Sequence, residues 1–338
     1  MSLLFNQPSK LFLGKPALMR SSLFLSNGFS SSSLRIPPCS IKGCGLKVRN
    51  VTDGRRTYFA KKDDGIVSFN KEDEKKWLAY KGWVATYNGD GIMHFIEETG
   101  EQPKHFSLPP FVTLPHCQTQ IVTNVVMSSP SPEDEDCVVA VKFLGPQLSF
   151  IRPAQSNSEE WTNVRIENPC FYTSQVMFSK KDGMFRIPGS RGHIIGSWDL
   201  HTDTHKPKIQ RLRFRNLPEL TKTQRELLES CCTSEFLLIE SQSTDETFLV
   251  RWYKKSSRNI LSSKAVMVFK LDDKGNAIYT QDIGELCILL SGTELLCEPA
   301  SSNIYLLRPN HVEIYDVYEF FTLNLANSPH SLVKFCYD

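Results

Sequence analysis

The first 40 residues contain no aspartate and no glutamate, and the whole chain lacks a CxxC pair, a GxSxG motif, a GxGxxG motif and a GxxxxGK motif. Each absence closes a route. Without GxSxG there is no nucleophile elbow, and without the glycine-rich motifs there is no ready phosphate cradle at a helix start. Ten cysteines are present, but their scatter suits neither a zinc ribbon nor a small disulfide scaffold. Cys137 and Cys287 each enter an apolar run, where a thiol behaves as a small buried hydrophobe. They read as reduced, structural residues. No apolar run approaches the ~20 residues that a membrane-spanning helix needs, so no membrane span is expected.

Charge is unevenly spread. The net charge of +2 conceals nine Lys/Arg against one acid, Asp53, in residues 1–60, which leaves the rest of the chain at −6. An acidic body argues against nucleic acid as the main partner, because a duplex binder needs a basic face. The front end is basic, rich in serine at 30–33 and intermittently apolar, with Lys10, Lys15, Arg20 and Arg35 widely spaced. That is the composition of an organellar transit peptide: a cationic amphipathic segment drawn to an anionic surface and then along a membrane potential. The lysines interrupt what a secretory signal would keep unbroken, and a disordered soluble tail is the plain alternative. Arg20, Arg35 and the Leu/Phe pairs favour the mitochondrion; the serine run would also suit a plastid. The expected division is therefore a transit peptide over 1–40, cleaved on import, a linker over 41–62, and one domain over 63–338.

That domain reads as a string of β-hairpins. WVATY and IMHFIE flank Asn88-Gly89-Asp90-Gly91, a turn that accepts positive φ. The pattern repeats around Leu144–Pro146, Lys180–Gly183, the polar STDE at 243–246 and Asp272–Asn276. The flanking runs are mostly Val, Ile, Phe and Tyr, which pack well on a pleated surface. Helical signals are few: a short segment over Asn70–Tyr80, and a second starting at Thr221, where Thr221 and Gln224 form a capping box. So many short strands must hide their edges, and radial repetition does so. The expected fold is all-β: a β-propeller of about six blades, at ~40–45 residues each, with one or two short helices, preceded by a disordered transit peptide. A two-sheet sandwich is the rival. The five tryptophans (77, 83, 161, 198 and 252) are expected to wedge between blades.

Gly192–His205, GHIIGSWDLHTDTH, holds three histidines and two aspartates. His201 and His205 stand at i and i+4, which puts two ligands on one face only in a helix. Thr202, Asp203 and Thr204 are poor helix formers and Pro207 follows closely, so the segment reads as a strand running into a solvated loop. Gly189–Gly192 likewise reads as a turn between strands. The acidic runs at Glu133–Asp136 and Lys71–Lys76 read as solvated faces. No metal ligand, cofactor-binding residue or catalytic residue is assigned.

Several blocks resemble a known plant family. They are CVVAVKFLGPQLSFIRPA with Trp161-Thr162, VMFSKKDGMFRIPGSRGHIIGSWDL, FLVRWYK, VMVFKLDDKGNAIYTQDIGELCILLSG and RPNHVEIYD. Together they are similar, over about residues 63–325, to the domain-of-unknown-function 295 family, also described as a KIB-like β-propeller. The most specific pieces are the VFKLD…DIGEL block and Pro309-Asn310. The resemblance implies a propeller and supplies no catalytic residue. The family often carries an N-terminal F-box, whose Leu-Pro start and amphipathic helices are not visible here, so no ubiquitin-ligase adaptor role carries over. Ser301–Arg308 is short for the family, which implies a trimmed last blade.

The function expected on these grounds is a mitochondrial, non-enzymatic protein-interaction module with a basic protein partner. Its recognition surface is expected at loops that include Arg191, His193, Asp199 and His205. The alternative is a propeller hydrolase or lyase with a site at the central channel, which would need groups such as His94, His193 and His311 to converge.

Overall fold

The computed structural model describes residues 46–49, 56–62, 65–70, 75–80, 83–87, 91–97, 104–154, 160–200, 206–231, 233–257, 260–291, 295–301, 307–316, 319–326 and 333–334. A three-stranded sheet comes first: β1 (Leu46–Arg49), β2 (Arg56–Lys62) and β3 (Gly65–Asn70). Five larger sheets follow, and these are the blades.

The first blade is a plain meander of β4 (Lys75–Tyr80), β5 (Trp83–Tyr87), β6 (Met93–Glu97) and β7 (His105–Ser107). The second repeats it with β8 (Val122–Met127), β9 (Val139–Phe143), β10 (Gln147–Ile151) and β11 (Thr162–Arg165). The third uses β12 (Met177–Ser179), β13 (Met184–Pro188), β14 (Ile194–Trp198) and β15 (Lys208–Arg211).

The fourth blade departs from the meander. β16 (Arg213–Arg215) lies parallel to a strand sixty residues further on, and helix α1 (Lys222–Glu229) follows it. The chain then lays down β17 (Thr233–Glu240), β18 (Thr247–Ser257), β19 (Ile260–Leu271) and β20 (Asn276–Tyr279), with β16 closing the outer edge against β20. The helix starts where the sequence places it. Thr221 N–H donates to Gln224 Oε1 at 2.8 Å, and Gln224 N–H donates to Thr221 Oγ1 at 3.3 Å.

The fifth blade has the order β22-β21-β23-β24-β25. Its strands are β21 (Leu286–Ser291), β22 (Leu295–Pro299), β23 (His311–Asp316), β24 (Glu319–Asn324) and β25 (Val333–Lys334). It is not trimmed. The β21–β22 hairpin has already carried the chain back, so a short connection lays β23 parallel beside β21.

Three expectations are corrected. There are five blades, not about six, because the fourth spends residues 213–279 on an added outer strand, a helix and two strands of eleven and twelve residues. Asn70–Tyr80 is not a helix: Lys75–Tyr80 is strand β4, paired from Lys75↔Tyr87 to Tyr80↔Trp83. The charged run there suggests a solvated helix, but cross-strand pairing overrides local composition. The last blade keeps five strands.

Sheets meet through their innermost strands: β4 packs on β8, β8 on β12, β12 on β17 and β17 on β22. Alternate residues of one strand fill different seams. Val139, Val141 and Phe143 face the first blade with Trp83 and Phe95, whereas Val138 and Ala140 face the third with Phe185 and Trp198. Leu237 and Ile239 face the fifth blade, and Phe236 and Leu238 face the third. This two-sided burial is why the strands read as unbroken apolar runs instead of alternating ones. Trp83, Trp161, Trp198 and Trp252 all sit in these seams; the side chain of Trp77 lies outside the described residues.

Candidate functional site

The fragment Gly192–His205 splits at once. In the third blade, Pro188 pairs with Ile195 and Phe185 with Trp198. The β13–β14 turn with Arg191 and His193 is therefore at one end of the blade, and Asp199 is at the other. The five residues of β14 between them span ~17 Å at about 3.3 Å per residue. Arg191 and His193 therefore do not share a surface with Asp199, which corrects the expected loop group. Asp199 pairs with Lys208 at 3.5 Å. His201, Asp203 and His205 lie outside the described residues. Among the described residues no three His, Cys, Asp or Glu side chains gather as a metal site.

The glycine-rich segment is a hairpin turn. Gly189 N–H donates to Ile194 O at 2.8 Å, and Gly192 N–H donates to Gly189 O at 2.7 Å. Gly192 has φ +71°, and a Cβ there would stand 2.3 Å from the Phe236 ring. Its glycine serves a close approach between blades. The three histidines that a channel site would need are held apart, each on or beside the third strand of a different blade. His94 Nδ1 contacts Ser107 Oγ at 2.8 Å, and His311 Nδ1 contacts Pro309 O at 2.6 Å.

What the blades do assemble is a set of turns at one end. Asn124, near the start of β8, donates to Val176 O at 2.7 Å and accepts from Val176 N–H at 3.0 Å, just before β12. The two inner strands therefore run the same way and leave at the same end. β17 leaves there too, since Glu240 accepts from Ser179 Oγ at 2.5 Å and from the N–H groups of Lys180 and Lys181 at 2.7 and 3.3 Å. The first turns of the second, third and fourth blades (128–138, 180–183 and 240–246) thus share a face. They carry eight carboxylates, Glu133–Asp136, Asp182, Glu240, Asp245 and Glu246, against Lys180 and Lys181.

This face is braced. Asp134 accepts from Ser129 Oγ at 2.7 Å, Lys104 bridges to Glu133 at 3.0 Å, and Lys180 donates to Gln242 at 3.1 Å. Glu135, Asp136 and Asp245 are exposed and pair with no cation among the described residues. The turns at the other end of these blades, Leu144–Pro146 and Gly189–His193, hold no carboxylate. Sequence reading names Glu133–Asp136 as a solvated loop and stops there. Sorting hairpin turns alternately, first turns apart from second turns, is the signal that would have found the face.

Residues 11–338 match the family model described as KIB1-4 beta-propeller. The chain belongs to that family. No curated protein matches it as a relative. Among solved structures it is similar to the Cps50 (Swd1) beta-propeller domain of Myceliophteria thermophila, at 10% identity and a TM-score of 0.40, over 92% of this chain and 88% of that one. A catalytically inactive virginiamycin B lyase from Staphylococcus aureus with quinupristin is similar at 10% identity and a TM-score of 0.33, over 76% and 94% of the two chains. A protein of unknown function from Bacteroides caccae is similar at 10% identity and a TM-score of 0.35, over 76% and 85%.

In this KIB1-4 propeller the most specific family blocks build turns. Asp272 Oδ1 accepts from the N–H groups of Lys274 and Asn276 at 2.9 and 2.7 Å, and its Oδ2 from Asn276 Nδ2 at 2.7 Å. These bonds hold its carboxyl below the ordinary value. Asp282 accepts from Gly284 N–H at 2.8 Å. Asn310, in the left-handed region at φ +58°, accepts from Ile283 N–H at 3.0 Å and donates to Gln281 O at 3.1 Å. It locks the fourth-to-fifth blade crossing against β23.

Three buried groups are also architectural. Lys142 is fully buried, and its Nζ donates to Phe143 O and, at 3.0 Å each, to Gly145 O and Tyr172 O. Burial pulls it down to about 7, while three carbonyls matched to three N–H donors favour the ammonium form. The thiols of Cys287 and Cys297 are free and buried. Burial pushes Cys287 up to about 12 and raises Cys297 as well, which makes both unreactive.

Proposed function

We propose that this KIB1-4 propeller is a non-enzymatic protein-interaction module that receives a basic segment of a protein partner on the first turns of its second, third and fourth blades. One observation carries the reading: these turns share a face, those of the third and fourth blades are tied to each other, and together they hold eight carboxylates against two lysines, with Glu133, Asp182 and Glu246 paired to Lys104, Arg186 and Lys270 beside them. A rigid scaffold that gathers loops at one end suits recognition, and a one-signed rim steers an oppositely charged partner. The same rim repels a phosphate backbone, so nucleic acid is not its partner.

We place the chain in the organellar branch of the domain-of-unknown-function 295 family. Its basic, acid-free leader directs import to the mitochondrion, with the plastid as second address. That address rests on the composition of residues 1–40. It predicts that residues 1–60 fused to a fluorescent reporter go to mitochondria; a cytosolic or nuclear signal would sink it. For the interaction itself, Glu135→Gln, Asp136→Asn and Asp245→Asn together should weaken partner capture at low salt about tenfold or more without altering the melting temperature. Capture that is equal for the two proteins would remove the acidic face from the account.

A further inference from the structure

Arg251 is the fifth residue of β18, opposite Phe236 of β17 and Met267 of β19. Its guanidinium carbon lies 4.5 Å from the centroid of the Tyr253 ring and 5.1 Å from that of Phe236. Both rings belong to the cluster that fills the seam between the third and fourth blades. The turn bearing Gly192 closes on the Phe236 ring, with Arg191 and His193 exposed on either side of that glycine.

The guanidinium lies over both rings, and these contacts restrict its movement. A fork held this way has lost most of its freedom before any ligand arrives. Yet it has no counter-charge: among the described residues no carboxylate pairs with Arg251. Its Nε is buried without a partner, while the residue as a whole keeps an accessible edge. A buried charged donor with no acceptor is costly to maintain; Glu246, the nearest acid in sequence, pairs with Lys270, and Glu235 on the neighbouring strand faces the other side of the sheet and pairs with Lys254 at 3.4 Å.

We propose that the seam between the third and fourth blades binds a carboxylate of an incoming ligand, and that Arg251 is the fork that receives it. A planar anion with two oxygens matches a guanidinium fork that ring contacts already restrain. The walls are apolar: Phe236, Tyr253 and Met267, whose sulfur takes the Tyr253 hydroxyl at 3.7 Å. One fixed cation in such surroundings balances one unit of negative charge. A phosphate dianion would need more fixed cations than the seam provides. Arg191 and His193 at its edge attract the anion without being needed to hold it. This site is separate from the acidic turns and stands or falls independently of them.

The test uses the full chain with ¹⁵N-labelled arginine, whose Nε–Hε resonances report each guanidinium. Sodium propionate is titrated against sodium chloride at equal ionic strength and, separately, against inorganic phosphate. The expected result is a saturating propionate shift of one resonance that is missing from Arg251→Lys. The melting temperature of the native chain should also rise with propionate, and that of Arg251→Lys should not. The proposal is overturned if propionate does no more than chloride, if phosphate shifts the resonance at lower concentration than propionate, or if the shift survives in Arg251→Lys. The titration of the native chain decides the matter even if the variant folds poorly.

Discussion

Replacing Gly192 by alanine tests how tightly the third and fourth blades are joined. Gly192 has φ +71°, and an added Cβ would lie 2.3, 2.5 and 2.6 Å from three atoms of the Phe236 ring. Phe236 is only 5% exposed, so the ring has nowhere to retreat cheaply. Two costs then combine. An L-residue in the left-handed region costs roughly 1–2 kcal/mol, and forcing atoms into a packed seam costs typically ~1–3 kcal/mol. Gly192→Ala should therefore lose about 2–5 kcal/mol of stability. Gly183→Ala is the matched control, because Gly183 has φ +66° but nothing within 4 Å of its Cβ position. It should lose only the conformational part, roughly 1–2 kcal/mol. Urea unfolding followed by circular dichroism gives both values. The difference isolates the contact, and adding Phe236→Leu should shrink it. Equal losses at the two glycines would refute the close approach between blades.

Other perturbations reach different parts of the fold. Trp198, 2% exposed and edge-on to Phe171 at 5.9 Å between ring centroids, fills the seam of the second and third blades. Trp198→Ala should cost ~3–5 kcal/mol in the same unfolding assay; a loss below ~1 kcal/mol would mean that the seam is loose. Glu313 is buried, and burial raises its carboxyl above the ordinary 4.5, against the smaller opposing pulls of the Tyr315 hydroxyl and the Arg308 and His311 charges. Between that value and the raised one, the folded chain keeps a proton that the unfolded chain releases. The stabilisation is thus complete below about pH 4.5 and lost as pH rises through the raised value. Glu313→Gln should accordingly melt higher than the native chain at pH 7–8 and alike near pH 4; a variant that melts lower at pH 8 would contradict the burial argument.

Much of the fold was legible because local signals agreed with the final pairing. Trp83–Tyr87 and Met93–Glu97 pair antiparallel as the turn residues written between them lead one to expect, and Thr221 with Gln224 starts the helix. The blade number was not legible, because β16 pairs with β20, sixty residues away, and nothing local to Arg213–Arg215 announces that partner. Lys75–Tyr80 hid its strand behind charges. The surface was legible least. Whether two loops share an end depends on how many strands separate them. Arg191 and Asp199, eight residues apart, therefore fall on opposite ends, while Glu240 reaches Lys180 across sixty residues of sequence.

The central claim is that partners dock on the acidic first turns. Hydrogen exchange of the full chain, free and bound to its captured partner, tests this most directly. Exchange should slow on binding at 129–137, 180–183 and 241–246, with 189–193 unchanged. Protection at Gly189–His193 with the acidic turns unaffected would contradict it.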